Sequence, residues 1–403
     1  MQLAELGSPQ RRITLETSQE SDPDMRITPT RTTICAMAAL GLMVPAAFAD
    51  PMTITDIAGR VVTLPDAPQR IILGEGRMMY AIAPLATDDP FEHVVGWKDD
   101  LILYDPDAFR KFETAFPEDT ARMVNFGNPY SGDFSIEAVI ENKADLLILD
   151  LGNLFKAQET GLIKKLDEAG VPVVFIDFRR DPTANAIPSM LMLGRLLEQE
   201  ARAAEFIDFY VAEMRKVTNI VQTLSVDEKP LVFMENAAGW NPEFCCNTFG
   251  SYNYGRFIEL AGGRNYGSEK FSGYSSEVSL EGLIAADPDV LLGTGANWAE
   301  ARPEVTATLL GYDAESSDNE ARMQALASRV GFKDLRAVQN GRMHSIYHQF
   351  YNSPYHFIAV QQIAKWLHPD DFADLDPEAT LATLHRRFMP FDTDGQFWVS
   401  LPQ

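Results

Sequence analysis

Histidine and cysteine are scarce in this chain, six and three among 403 residues. A zinc or manganese ion held by protein alone needs three or four converging His, Cys, Asp or Glu ligands. Only His93 lies in the first half of the chain, so no directly bound metal and no resident cofactor are expected. Cations are also short: 34 Lys and Arg face 58 Asp and Glu, a formal charge of −24. That balance argues against nucleic acid and anionic membrane surfaces as partners, and it obliges any anionic ligand to find a local basic patch. Signatures of catalysis are missing too. No G-x-S-x-G occurs. The stretch GEGRMMY (74–80) opens as G-x-G but lacks the third glycine and the P-loop Lys-Ser/Thr. No paired carboxylates stand beside an apolar run, so no enzyme activity is expected.

What is present begins with a leader. From Met25 the chain reads MRITPTRTTICAMAALGLMVPAAFAD. Arg26 and Arg31 form a basic region, a short apolar stretch follows, and Ala47-Phe48-Ala49 is a small-x-small cleavage site. This is a secretory signal peptide, too short for a stable membrane span. Residues 1–24 are polar and acidic and read as a start-site error or a disordered lead. No lipobox precedes Cys35, so cleavage near Ala49–Asp50 is expected to leave a free, soluble periplasmic protein. Cys245 and Cys246 remain, adjacent in PEFCCNTF. They are read either as a vicinal disulfide or as two small buried residues.

In the mature chain, TITDIAGRVVTL alternates apolar and polar residues around Ala58-Gly59, as a small hairpin would. Short apolar runs follow, separated by helical patterns: RIILG (70–74), VVGW (94–97), LLILD (146–150), VVFID (173–177), LVFME (231–235), VLLG (290–293) and HSIY (344–347). Buried strands alternating with helices indicate parallel sheets in an α/β protein, here in two Rossmann-like lobes. Residues 183–224 carry a helical apolar stripe, and no glycine or proline interrupts 195–224. They are expected to form one long backbone helix joining the lobes. The predicted organisation is a leader over 1–49, a first lobe over 50–182, the connecting helix over 183–224 and a second lobe over 225–403, with a ligand cleft between the lobes.

One sentence is written twice. FSIEAVIENKADLLIL (134–149) and VSLEGLIAADPDVLLG (278–293) align without a gap, Glu137 over Glu281 and Asp145 over Asp289. In each, a serine caps a helix, the apolar residues at i, i+3 and i+4 (Ile136, Val139, Ile140; Leu280, Leu283, Ile284) dock it, and a strand follows. The glutamate at the second helical position faces away from the docking stripe. It favours the helix N-terminus by about 0.3–1 kcal/mol in any case.

TDIAGRVVTLPDAPQRII resembles the opening of periplasmic solute-binding proteins of the iron-siderophore and vitamin B12 group. The two S-x-E units, LGRLLEQEARAAEFI, GRMHSIY and the Ala-Gly-Gly at 261–263 are similar too, and the resemblance runs over roughly the whole mature chain. It implies an iron chelate or corrinoid held between the lobes and delivered to the permease dimer of an inner-membrane ABC importer. It also implies that Glu137 and Glu281 dock against basic permease residues. GEGRMMYAIA and the aromatic, cysteine-bearing WNPEFCCNTF depart from the family pattern, which bears on the ligand rather than the fold.

In such a fold the ligand meets loops at the carboxyl ends of strands. Those loops offer Arg77, Tyr80, Trp97, Tyr104, Tyr130 and Arg179 in the first lobe, and Trp240, Tyr252, Trp298, Tyr347 and His348 in the second. Arginine forks and flat aromatic faces suit an anionic, partly apolar chelate. The expected function is a monomeric periplasmic binding protein for a ferric siderophore. Haem or cobalamin is the alternative within the class, and an exported ligand sensor the alternative outside it.

Overall fold

The computed structural model describes residues 51–241 and 245–402. The leader, with Arg26, Arg31, Cys35 and the cleavage site, lies outside the described residues. The alternating opening forms a hairpin of β1 (Met52–Thr55) and β2 (Val61–Leu64), paired antiparallel. Gly59 turns it at φ 76°, a left-handed value open to glycine.

The first lobe is a five-stranded parallel sheet. Its members are β3 (Ile71–Leu73), β4 (Val94–Trp97), β5 (Val124–Asn125), β6 (Leu146–Asp150) and β7 (Val173–Ile176), in the spatial order β5-β4-β3-β6-β7. Every residue of β3, β4, β6 and β7 is buried, because helices cover both faces. The second lobe holds β8 (Leu231–Glu235), β9 (Asn247–Phe249), β10 (Arg264–Asn265), β11 (Ser275–Glu277), β12 (Val290–Gly295), β13 (Met343–Tyr347) and β14 (Trp398–Ser400). Their order is β11-β9-β8-β12-β13-β14, with β10 also beside β8. The centre, β10-β8-β12-β13, is parallel; at the flanks β9 pairs antiparallel with β8, β11 with β9 and β14 with β13.

In both sheets the strand order reverses once, between β3 and β6 and between β8 and β12. Connections leave such a point in opposite directions, which opens a crevice beyond the carboxyl ends of the two strands. Each lobe therefore has a preformed crevice, and the loops that border them meet across the interlobe cleft.

The repeated unit now has a structural reason. Ser135 accepts the amide of Ala138 at 3.1 Å, and Ser279 that of Gly282 at 3.1 Å. The helices Ile136–Glu141 and Leu280–Ala286 are closed by left-handed residues at equivalent positions, Lys143 (φ 50°) and Asp287 (φ 40°). The repeated aspartate then ties down the start of the first strand of its own sheet. Asp145 accepts the amides of Gln69 and Arg70 at 2.8 and 2.9 Å, and Asp289 that of Leu231 at 2.8 Å. The docking stripe is narrower than the sequence implies. Val139 and Leu283 are fully buried, but Ile140 and Ile284 remain 59% and 46% exposed. Helices of under two full turns touch the sheet through one turn, and the i+4 side chain overhangs its edge.

The connector is not one helix. Pro182–Leu196 and Glu200–Val221 are separate helices, broken at Leu197–Gln199, where Glu198 takes φ 54°. The first is tied to the end of β7 by the Asp177 amide bonding the Ser189 hydroxyl at 3.0 Å. The second packs on the other lobe: Phe209 and Tyr210 meet Phe357 edge-on, and Gln361 donates to Glu213 at 2.8 Å. A straight rod could not serve both partners, so packing breaks it although every residue of LLEQEA favours helix. Gly194 makes the turn possible. A Cβ there would stand 2.5 Å from that of Ala203. Gly194→Ala adds up to about 1 kcal/mol of intrinsic helix propensity, yet it is expected to lower stability by about 1–3 kcal/mol through overpacking. Thermal unfolding checks this, and a raised melting temperature would contradict the close contact.

Candidate functional site

The residues after β3 and β6 form the first lobe's half of the cleft base. Glu75 and Arg77 follow β3; Asp150 ends β6, and Asn153 stands just beyond it. The glycines of GEGR serve packing, not a phosphate. A Cβ on Gly74 would lie 2.5 Å from Leu149 Cδ2, and one on Gly76 2.9 Å from the Lys98 carbonyl. Arg77 is 7% exposed and almost fully engaged. It donates to Asp100 at 2.5 Å, to Tyr351 OH at 2.7 Å, to Gln349 at 3.1 Å and to Glu75 at 3.5 Å. Arg179 forks onto both oxygens of Glu75 and reaches Asn352 at 3.2 Å. The backbone amides of residues 179–181 all bond the Asp177 carboxylate.

These groups join the lobes. Gln349 and the Trp298 indole both donate to the carbonyl of Tyr104, at 2.8 and 3.1 Å. Deeper in, the hydroxyls of Tyr80 and Tyr347 both donate to Asp105, one from each lobe. Burial raises the Asp105 carboxyl, and hydrogen bonds from the two tyrosines only partly offset it, leaving it at about 7. Burial also raises Asp150, against the attraction of Arg179, to about 7. Glu75 goes the other way: burial alone would raise it, but Arg179 and Arg77 hold it below its ordinary value.

Two adjoining pockets open between the lobes. One of about 330 Å³ is bordered by Asp150, Asn153, Arg179, Asn236, Phe249 and Tyr274; the other, of about 290 Å³, by Arg77, Tyr104, Ala237, Trp240 and Trp298. Asn236, His348 and Tyr351 border both and stand between them. Trp240 and Trp298 meet edge-on at 5.1 Å, and His348 sits 5.0 Å from Trp298 and 4.6 Å from Tyr351. His348 Nδ1 bonds the Thr294 hydroxyl at 2.9 Å, and its other nitrogen has no protein partner among the described residues. Burial, then the two guanidiniums, push this imidazole down to about 3, so it is uncharged. Larger grooves of about 680 and 570 Å³ lie elsewhere, each within a single lobe and away from the strand ends that converge on the cleft.

Of the residues singled out from the sequence, Arg77, Tyr104, Arg179, Trp240, Trp298 and His348 border the cleft pockets. Tyr80, Trp97 and Tyr347 do not, being 1–2% exposed in the core. Tyr130 lies behind Asp150, accepting its amide at 3.4 Å. Tyr252 stacks beside Tyr274 rather than bordering either pocket. Sequence reasoning missed Glu75, Asp150, Asn153, Asn236, Phe249 and Tyr274. The strand-end rule could have found Asp150 and Asn236, the one ending LLILD and the other following LVFME. Phe249 and Tyr274 come with β9 and β11, which carry no apolar run. Cys245 and Cys246 are joined in a vicinal disulfide, and Cys246 is buried against Val278. Glu137 and Glu281 are exposed near the starts of their helices and border neither cleft pocket.

A sequence profile described as periplasmic binding protein matches residues 86–348. The substrate-binding lipoprotein YvrC of an uncharacterised ABC transporter from Bacillus subtilis is 18% identical over 327 residues, 80% of this chain and 88% of that protein. Among solved structures, the TroA-like periplasmic binding protein FepB from Veillonella parvula superposes with a TM-score of 0.79 at 28% identity, over 87% of this chain and all of that one. MolA, a molybdate periplasmic binding protein from Haemophilus influenzae, shares the fold at a TM-score of 0.65 and 17% identity, over 85% and 99% of the two chains.

Asp105 yields a pH-dependent expectation. Between its ordinary range and about 7, the folded protein holds a proton that the unfolded chain has released. Its contribution therefore declines as pH rises, by up to about 1.4 kcal/mol per unit, and levels off above the folded value. Asp105→Asn removes this dependence. Denaturant titrations from pH 5 to 8 should show the variant gaining on the wild type as pH rises, and parallel curves would contradict the assignment.

Proposed function

The chain belongs to the periplasmic binding protein family, and we propose that it captures a ferric siderophore outside the inner membrane and delivers it to an ABC importer. The family is one of binding proteins, and the chain is a binding protein rather than an enzyme. The observation that carries the ligand reading is the pair of strand-order crevices, facing each other and lined by aromatic and hydrogen-bonding side chains. Pockets of that size and make-up suit a compact chelate with flat apolar faces and polar edges. Trp240 and Trp298 lie on its wall, so their emission reports occupancy. Titration with a panel of ferric hydroxamate, catecholate and citrate chelates is expected to find one that quenches tryptophan fluorescence, and Trp240→Phe with Trp298→Phe to abolish most of the change. If haem or cobalamin alone quenches, the siderophore reading is wrong.

Delivery is assigned to the two repeated helices. Glu137 and Ile140 stand three residues apart on one, Glu281 and Ile284 on the other, so each lobe shows a carboxylate beside an uncovered isoleucine. Exposed ion pairs contribute about 0–1 kcal/mol each, but two widely spaced ones set the orientation of docking and its rate. Glu137→Arg with Glu281→Arg should leave the melting temperature and chelate affinity near wild type and lower cellular iron uptake by about tenfold or more. Normal uptake in cells carrying only the double variant would remove the docking role.

A further inference from the structure

Resting on the receptor reading above, we propose that the cleft is built for a metal chelate of no net charge, because its cations are already neutralised from behind. The sequence alone suggested the opposite, since Arg77 and Arg179 look like anion ligands. In the structure both guanidiniums border the pockets, but both are matched. Asp100 takes Arg77 at 2.5 Å, and Glu75 takes the fork of Arg179 and a longer contact from Arg77. Asp100 and Glu75 are themselves 0% and 3% exposed, so neither can swing into water to release its partner. Two positive charges thus meet two negative ones.

The rest of the wall adds no cation. His348 is uncharged, and Asp150 contributes either nothing or a negative charge. Arg180, over the Tyr252 ring at 5.9 Å, and Lys98 border neither pocket. The chain as a whole carries a formal −24. A multiply charged anion would meet no unmatched positive group in the cleft and a repulsive field outside it. What the wall does offer is neutral: the amides of Asn153 and Asn236, the hydroxyl of Tyr274, the free nitrogen of His348, and the faces of Trp240, Trp298, Tyr351 and Phe249. A ferric complex of three hydroxamates, in which each ligand charge cancels one charge of the metal, has this character. A ferric tris-catecholate is a trianion and does not.

The test compares two ferric chelates that differ in charge, with cobalamin as a neutral ligand of another class. Dissociation constants of the wild-type protein are measured for a ferric tris-hydroxamate, a ferric tris-catecholate and cobalamin, between about 0.02 and 0.5 M salt. The tris-hydroxamate should bind about tenfold or more tighter than the trianion, with an affinity nearly independent of salt. Asn236→Asp, which places a charge on the wall without touching the arginine network, should widen that gap. Tighter binding of the tris-catecholate, falling steeply with salt, would overturn the electroneutral site while leaving the siderophore reading intact. Binding of cyanocobalamin alone, which is neutral overall because its cobalt balances its single phosphate, would do the reverse. Failure of all three to bind would overturn both.

Discussion

Two arginines where the lobes meet, Arg77 buried and Arg179 half-buried, constrain everything around them. A guanidinium taken out of water is tolerated only if a carboxylate goes with it and the remaining donors find acceptors. Arg77 and Arg179 satisfy this by drawing on both halves of the molecule. Their carboxylates, Glu75 and Asp100, come from the first lobe, and their neutral partners, Gln349, Tyr351 and Asn352, from the segment after β13 in the second. The lobes are therefore joined through a buried polar base as well as through apolar contacts such as Phe112 on Phe391 and Tyr80 on Tyr355. The cleft above that base inherits hydrogen-bonding capacity without net charge.

The duplicated unit solves a related problem at the far side of each lobe. A parallel sheet needs its first strand anchored before others can be added on either side. Asp145 and Asp289 do this by accepting backbone amides at the start of β3 and β8, the strands from which each sheet grows both ways. Because the crevice of each sheet opens beside that same strand, one helix-and-strand unit fixes both where the sheet starts and where its ligand edge lies. The outward glutamates follow from the same geometry, since a capped short helix has only one face on the sheet.

Local sequence signals were readable where one mechanism dominates. Runs such as LLILD and VVFID are strands because they are buried on both faces, so no polar alternation blurs them. β9, β11 and β14 were silent, since NTF, SSE and WVS are short flank strands whose identity depends on their neighbours. The cleft residues divided in the same way. Trp298 and His348 could be placed from their position after a strand. Trp97 and Tyr80 occupy equally plausible positions, but their side chains pack inward, and no neighbouring residue type announces that.

The sequence by itself determined the class of fold, the two lobes, the duplicated capped helix and the kind of side chain gathered at the strand ends. Each of these rests on contacts within about one turn or one strand, where spacing alone sets which face is buried. Only the tertiary structure decided the rest. It broke the connector at Leu197–Gln199, because two helices had to pack on two lobes. It also paired Arg77 and Arg179 with carboxylates, because which partners stand behind an arginine depends on the segments that folding brings together. Asp100 lies 23 residues from Arg77, and Glu75 lies 104 from Arg179, and no local pattern reports pairings made at that distance along the chain.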